Sequence, residues 1–393
     1  MGVLFVRFEH WGHTSRLYGW REIQSVYERA SGAAMGMLGH GLRQLDLPAD
    51  LGLRGEGFAI LLSGPRESAD LGLEIVDLVA DRVADLVREL LSDGVAAELM
   101  ERTTIEVGAG LVNRPEAAGT LEDALVAGLV EAERSAREKH AARLVEMGDH
   151  LRSALDEGRL TTLFQPIAAI ESGKTVAFDA VVQGPLYSNL QHGDVVFDVA
   201  ERTGQELRVL DLYHHATLSA VDDALDGAEQ LVLRATAEEL LESAVRLMSL
   251  LYHREPARIT PANVLFLVGS DRLADHFPAG LSAWRSVGDM GFRLCVDLSP
   301  NRPLPLDYLK ELSPDVVRVS GRLVRDVHRH QDEFEYLLML SRFTTRHDMR
   351  ILAADCIDRR EFTTLRRAGV SYVQGEFVAP CVPTLSRPEL ILP

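Results

Sequence analysis

Cysteine is scarce: three in 393 residues, Cys295, Cys356 and Cys381. An odd number placed far apart argues against a disulfide framework and suits a reducing cytoplasm. Cys295 lies in FRLCVDL, where it reads as a small buried hydrophobe. Long apolar runs are missing too, and nothing approaches the ~20 residues that span a bilayer. The opening MGVLFVRFEHWGH turns polar too soon for a secretory signal, and Val6 stands where a myristoylation signal after Gly2 wants Ser or Thr. Basic residues are outnumbered, and the net charge of −18 argues against nucleic acid and anionic membranes as partners. There is no nucleophile elbow, no Gly-rich phosphate loop and no zinc-type Cys pair. His214-His215 and His328-x-His330 lack a completing Cys or carboxylate, and adjacent histidines on a helix point apart. What is present is a chain 46% hydrophobic, long enough for two to three domains with sizeable cores.

Residues 3–8 read as a buried strand, and Trp20, Ile23, Val26 and Tyr27 recur at helical spacing. Residues 58–62 form a second strand. From Ala69 to Leu91 apolar residues recur at three and four, through Leu73, Val76, Val79, Ala80, Val83, Leu86, Val87 and Leu90, which predicts an amphipathic helix. Residues 104–111 read as a strand. Thr120 is a candidate N-cap, with Asp123 three residues on, for a helix to His140. A linker helix over 138–158 carries Leu144, Met147, Leu151 and Leu155 on one stripe, and Gly158 is a natural stop. That stripe either packs on one of the chain's own domains or forms a dimer seam.

Over residues 1–140 this order resembles the GGDEF domain, the diguanylate cyclase fold. The family's signature hairpin precedes a Phe-Ala-x-Leu-Leu strand, and here it reads Arg54-Gly55-Glu56-Gly57-Phe58. The resemblance implies a Glu at the fourth place, to hold metal and assist attack by the 3′-hydroxyl. Gly57 has no side chain for either task. On the first strand, where a second metal carboxylate is implied, stand Arg7 and Glu9, and an arginine there adds charge of the metal's own sign. Glu9 and Glu56 are the carboxylates left for residual GTP binding. Arg43-Gln44-Leu45-Asp46 has the spacing of the family's inhibitory Arg-x-x-Asp at the wrong distance from the hairpin, and reads as a solvated helix end.

Residues 161–184, TTLFQPIAAIESGKTVAFDAVVQG, read as two strands about the turn Glu171-Ser172-Gly173-Lys174. Pro166 is expected to end the first ladder, because it has no N–H to donate. Strand-like runs follow at 231–236, 264–269, 292–298, 316–321, 349–354 and 372–378. Helical patterns lie between most of them, at 237–252, 272–290, 303–312, 323–347 and 358–368. This alternation predicts a β/α barrel. Gln165-Pro166-Ile167, then Ala200-Glu201-Arg202-Thr203-Gly204 and Leu210-Asp211, resemble the EAL-domain family of bacterial cyclic-di-GMP phosphodiesterases. The resemblance covers residues 160–385 and implies a barrel with one antiparallel strand, supplied by this hairpin.

In such barrels chemistry sits at the C-terminal ends of the strands. The resemblance implies two Mg²⁺ or Mn²⁺ there, which activate water for attack on the phosphodiester and need several carboxylates. The Glu-Ala-Leu motif reads Asp179-Ala180-Val181, one methylene short. Its following Arg reads Gln183, which cannot grip a phosphate by charge. The Asn of the next strand is Arg234, and the Glu of the strand after falls at Phe266. Asp-Asp-Phe-Gly-x-Gly reads Asp297-Leu298-Ser299-Pro300-Asn301-Arg302. The Lys that helps activate water is Arg318, and the Asp beyond it is Ser320. Ala-Glu-Gly-Val-Glu reads Ala353-Ala354-Asp355-Cys356-Ile357, with Asp355 one residue off and expected on the other side of its strand. Gln374, Gly375 and Pro380 are kept, with Glu376 where Tyr is usual. Asp179 and Asp297 alone are too few for two divalent ions, and Arg234 would repel them.

The expected architecture is α/β: a degenerate GGDEF-like domain over 1–137, a linker helix over 138–159 and a degenerate EAL-like barrel over 160–393. Neither diguanylate cyclase nor phosphodiesterase activity is expected, with no catalytic residue, metal or cofactor. Asp179, Gln183, Arg234, Asp297, Arg318 and Gln374 are vestigial pocket positions, with salt bridges among the charged ones closing the pocket. The expected role is that of a cytoplasmic regulator or scaffold that binds another bacterial protein, or a second copy of itself. The resemblance places such members in control of motility, pili, biofilm or related signalling. Two rivals stand beside this. One is a receptor that binds cyclic-di-GMP or GTP without cleaving it, with Arg234 and Arg318 replacing the lost phosphate grip. The other is a barrel enzyme with altered chemistry.

Overall fold

The computed structural model describes residues 1–10, 24–25, 27–30, 32, 42, 45–49, 57–63, 72–91, 103–113, 120–221, 224–253, 259–275, 277, 279–299 and 304–390. Trp20, Ile23, Val26, Arg43, Gln44, Arg54-Gly55-Glu56 and Pro300-Asn301-Arg302 lie outside them. The chain divides into two units, Met1–His150 and Leu151–Pro393. No helix among the described residues is long and apolar enough to cross a membrane.

In the first unit, β1 (Gly2–His10), β2 (Leu47–Ala49), β3 (Gly57–Leu62) and β4 (Thr103–Leu111) form one sheet in the order β2-β3-β1-β4. Every pairing is antiparallel. β1 is buried on both faces, which explains its continuous apolar run. Leu4, Val6 and Phe8 enter one core with Val76, Ala80, Val83 and Val87 of helix α1 (Leu73–Leu90). Val3 and Phe5 enter the other with Ala132 and Ala136 of helix α2 (Leu121–Asp156). The packing of α2 on the sheet depends on side chains that are missing. A Cβ on Gly108 would stand 1.9 Å from the Ala132 carbonyl oxygen, and one on Gly110 would stand 2.1 Å from that of Gly128. Glycines in β4 and small residues four apart on α2 let the two backbones touch.

Three sequence expectations meet the structure here. The helices read at 120–140 and 138–158 are one helix of 36 residues, α2. Nothing in Glu138–Arg143 breaks a helix, and the start is fixed by a reciprocal cap: Asp123 N–H donates to Thr120 Oγ1, and Thr120 N–H to Asp123 Oδ2. Of the stripe, Met147, Leu151 and Leu155 are buried within the chain and Leu144 is half-buried, the burial expected of a stripe that packs on the chain's own residues. Asp46 is no solvated helix end: it is buried and accepts both the Ser63 N–H and its hydroxyl.

The second unit is a closed eight-stranded barrel. Its strands are β5 (Thr161–Ala169), β6 (Thr175–Gln183), β7 (Gln230–Arg234), β8 (Val264–Gly269), β9 (Arg293–Asp297), β10 (Val316–Val319), β11 (Arg350–Ala353) and β12 (Tyr372–Gln374). They follow one another around the ring, and β12 closes on β5. β5 runs antiparallel to both neighbours, and all other neighbours are parallel. Helices α3 (Gly193–Thr203), α4 (Glu206–Val221), α5 (Leu240–Tyr252), α6 (Ser270–Asp275), α7 (Ala279–Asp289), α8 (Leu306–Leu312), α9 (Gln331–Arg346) and α10 (Arg359–Arg367) lie between the strands. Pro166 does not end β5; it pairs with Phe178, and the strand runs on to Ala169. Phe164 directs its N–H and carbonyl to Val382, so Pro166, two residues on, directs its missing N–H to that same side, and pairing with β12 begins only at Ile167. No ladder bond is lost. The last residues strap the opposite rim: Leu390 N–H donates to the Gly173 carbonyl, and Arg387 donates to both carboxylate oxygens of buried Glu229, at 2.6 and 2.7 Å.

Gly108→Val is expected to destabilise the first unit by about 3 kcal/mol or more, since backbone faces backbone and no side chain can yield. Gly72→Ser, at the α1 N-cap with nothing within 4 Å, is the control and should change little. Urea midpoints measured on the whole chain check the difference.

Candidate functional site

The barrel interior is built in layers by strand alternation. Ile167, Ala177, Val232, Leu265, Cys295, Val316 and Leu352 pack together in its core. Counting on by two toward the C-terminal strand ends places Asp179, Arg234, Leu267, Asp297 and Arg318 in the next layer. Gln374 of β12 and Gln165 of β5 join it. Gln374 Nε2 donates to Asp179 Oδ2 and to Gln165 Oε1, each at 2.9 Å, and Gln165 Nε2 donates to the Ala379 carbonyl. Arg318 Nη1 stands 3.5 Å from Asp179 Oδ2. The Arg234 guanidinium lies 4.2 Å from the centre of the Phe197 ring on α3.

Burial pushes the Asp179 carboxyl above the ordinary carboxylate range; Arg318 and Gln374 oppose this, while Asp297 and Asp355 add to it. Burial disfavours the Arg318 cation, but the fields of Asp179, Asp297 and Asp355 outweigh it, and the net direction is upward. Burial lowers Arg234 against the pull of Asp194 and Asp297. Asp297 Oδ1, Arg318 Nε and Gln374 Oε1 are buried and make no hydrogen bond among the described residues. Behind β7, buried Tyr213 donates to the Ala180 carbonyl, and His214 Nε2 lies 2.9 Å from the Arg234 carbonyl oxygen. Burial takes the His214 imidazole down to about 4.

The structure brings Asp179, Asp297, Arg318 and Gln374 together, with Arg234 at the rim. Gln183 is not part of this group; its side-chain bond is to Thr161, at 3.4 Å. Phe266 is misassigned as the β8 position: it is fully buried on the outer side, against His214 and Phe292, and Leu267 is the inward residue. Asp355 is also corrected. It lies beyond β11 with φ of 64°, so strand alternation no longer governs it; its charge reaches Arg318, and its Oδ2 accepts the Gly321 N–H. Gln165, Leu267, Tyr213 and His214 were not singled out as site residues. Counting in twos from Leu265 finds Leu267, and Gln165 opens the Gln165-Pro166-Ile167 segment; nothing in the sequence marks Tyr213 or ties His214 to the site.

In the first unit, Gly57 faces Arg7 across the β1–β3 pair. Arg7 Nη2 is 3.1 Å from Glu9 Oε2, and His140 Nε2 lies 3.8 Å from Glu9 Oε1. A Cβ on Gly57 would stand 2.0 Å from the Val6 carbonyl oxygen. Phe58 is a core residue. A groove of about 450 Å³ runs between α1, β4 and α2 of this unit. Its cations are engaged within it: Lys139 with Asp81 and the Val107 carbonyl, Arg143 with Glu106, and Arg88 with Asp85.

The EAL domain family matches residues 149–381, more than half of the chain, and the chain belongs to that family. Most members of the family are phosphodiesterases. Among solved structures the fold resembles EAL enzyme Bd1971 in its cGMP-bound form, at 12% identity and a TM-score of 0.57 over 68% of this chain and 74% of that one. It also resembles the PaMucR phosphodiesterase in complex with c-di-GMP, at 16% identity and a TM-score of 0.55 over 61% of this chain and 98% of that one. A third likeness is to the Xanthomonas citri FimX EAL domain in complex with c-diGMP, at 16% identity and a TM-score of 0.51 over 64% and 98%. At these identities the likeness is one of fold. No curated protein matches the chain.

Arg318→Met leaves three neighbouring carboxylates without their common cation. The expected loss near pH 7 is about 3–5 kcal/mol, as for breaking a buried ion pair. The loss should shrink toward pH 4, because the Asp179 carboxyl, raised by burial and deprived of its opposing cation in the variant, binds a proton before its unfolded counterpart does. Urea unfolding of variant and parent at both pH values checks this. His214 acts in the opposite sense. Below about pH 6.5 the unfolded chain binds a proton that the folded chain refuses until about pH 4, so stability falls across that window by up to about 3 kcal/mol. His214→Gln keeps a donor for the Arg234 carbonyl and should flatten that part of the pH profile.

Proposed function

We propose that this chain is a non-catalytic member of the EAL family that works by binding another protein. The observation that carries the proposal is the layer at the strand ends. Its acids, Asp179 and Asp297, share it with Arg234, Arg318 and the apolar Leu267, and Asp179 is held by Gln374 and Arg318. Two divalent cations want several free carboxylate oxygens. This donor set does not fit them, and no step through a metal is assigned. Among the described residues no group of three or more His, Cys, Asp or Glu is placed to hold a metal ion.

The reading extends to the first unit as a degenerate GGDEF-like domain over 1–137, joined through 138–159 to the barrel over 160–393. What supports it is the antiparallel β2-β3-β1-β4 sheet, with helical residues between β1 and β2 and helix α1 between β3 and β4. Glycine at 57 and the Arg7–Glu9 pair stand where a cyclase would need carboxylates. The partner in this reading is another cytoplasmic bacterial protein, in a pathway such as motility, pili or biofilm control. A second reading, a receptor that binds cyclic-di-GMP without cleaving it, is favoured by the buried Arg318 Nε, Gln374 Oε1 and Asp297 Oδ1 without hydrogen bonds among the described residues. Such atoms are what a ligand would satisfy.

Incubation of the purified chain with cyclic-di-GMP and Mg²⁺ or Mn²⁺ is expected to release linear dinucleotide at the rate of buffer alone. Turnover that disappears in Asp297→Ala would overturn the proposal. Calorimetry with the intact nucleotide separates the two readings, since only the receptor takes it up.

A further inference from the structure

Arginine is distributed unevenly on this acidic chain. Residues 321–374 carry ten arginines against eight carboxylates, so this segment is net positive within a protein of net charge −18. From Met339 to Arg367 there are seven arginines and four carboxylates. Three of those four are committed inside the fold. Asp355 accepts the Gly321 N–H. Asp358 caps α10 by accepting the N–H groups of Arg360 and Glu361. Buried Glu361 accepts the N–H groups of Asp326 and Ile357. Arginines elsewhere mostly hold carboxylates, as Arg246 holds Glu242 and Asp211. Arg342, Arg346, Arg359 and Arg360 are exposed and make no ion pair among the described residues.

Helix electrostatics accounts for part of this. Arg346, Arg366 and Arg367 lie in last turns, where cations complement the helix dipole. Arg359 and Arg360 occupy the first two positions of α10, where the dipole opposes them, so their placement costs stability. Asp358 at the N-cap and Glu361 in the first turn offset part of that cost, and neither Arg359 nor Arg360 forms an ion pair among the described residues. α9 and α10 are neighbours: the Ser341 hydroxyl donates to the Gly369 carbonyl, and the Arg367 guanidinium lies over the Phe334 ring. On α9, Met339, Arg342 and Arg346 share one face by their spacing of three and four. Met339 is 45% exposed, and Ile357, just before α10, is 47% exposed. Exposed Met with Arg is the composition of a protein-binding surface.

We infer that the outer face of α9 and α10 docks an Asp- and Glu-rich segment of a partner protein. This rests on the proposal that the chain acts through a protein surface, and it names the chemistry of that partner. Arg342, Arg346, Arg359 and Arg360 take carboxylates, and Met339 and Ile357 supply the apolar contacts. A protein segment is favoured over nucleic acid or an anionic bilayer because the rest of the chain is strongly acidic and repels an extended polyanion.

The test is fluorescence anisotropy of a labelled Glu-rich peptide with the full-length chain. Binding should weaken as salt rises. Combined replacement of Arg342, Arg346, Arg359 and Arg360 by Ser should weaken it by about tenfold or more, the sum of four exposed ion pairs. Replacement of Arg134 and Arg137 by Ser, exposed but paired on α2, should leave it unchanged. Circular dichroism establishes that each variant is folded. Absence of binding, equal loss in both variants, or tighter binding of duplex DNA or phosphatidylserine vesicles through the same arginines would overturn the inference. Hydrolysis of cyclic-di-GMP by the same preparation would defeat the non-catalytic reading and leave the peptide result standing, so the two failures are distinguishable.

Discussion

Arg318 is a buried cation that Asp179, Asp297 and Asp355 all act upon, inside the closed ring of strands. Desolvation disfavours every charge in that space, and only the mutual arrangement makes it tolerable. Gln374 completes it by donating to Gln165 and Asp179 together, which ties the last strand of the barrel to its first hairpin. The seam where β12 meets β5 is therefore closed by side chains of the layer at the strand ends. Below this layer the interior is apolar and filled, as β/α barrels require.

In this layer Gln374 and Arg318 engage Asp179, which is the basis of the non-catalytic reading proposed above. The proposed role on the outside of the protein follows the same logic. Asp179 in the barrel interior meets Arg318 within the fold, while four arginines of α9 and α10 meet no carboxylate among the described residues. Charges without internal partners are the ones available to another molecule. The first unit repeats the pattern on a smaller scale, since Arg7 occupies Glu9 and the groove cations bind neighbouring carboxylates.

Much of the barrel was legible because alternating strands and helices leave a strong periodic signal, and because the Gln165-Pro166-Ile167 hairpin resembles a known opening. The inward residue of β8 was not. VLFLVG is buried on both faces, so it carries no alternation to separate Phe266 from Leu267. Asp355 escaped because a left-handed residue at a strand end breaks parity without leaving a mark in a non-glycine sequence. Pro166 was misread because the harm a proline does depends on which side of the strand is paired, and that is a tertiary fact. The single helix α2 was read as two overlapping helices because residues 138–158 carry an apolar stripe of their own. The association of Asp179 with Arg318 was legible as charge at site positions, but its geometry depended on the closure of the ring.

The most direct measurement is a crystal soaked in Mn²⁺ and cyclic-di-GMP, with anomalous scattering recorded at the manganese edge. The account predicts no manganese peak between Asp179 and Asp297, with the Arg318 guanidinium still beside the Asp179 carboxylate. A pair of manganese ions there, with Arg318 swung away and the nucleotide phosphate between them, would contradict it.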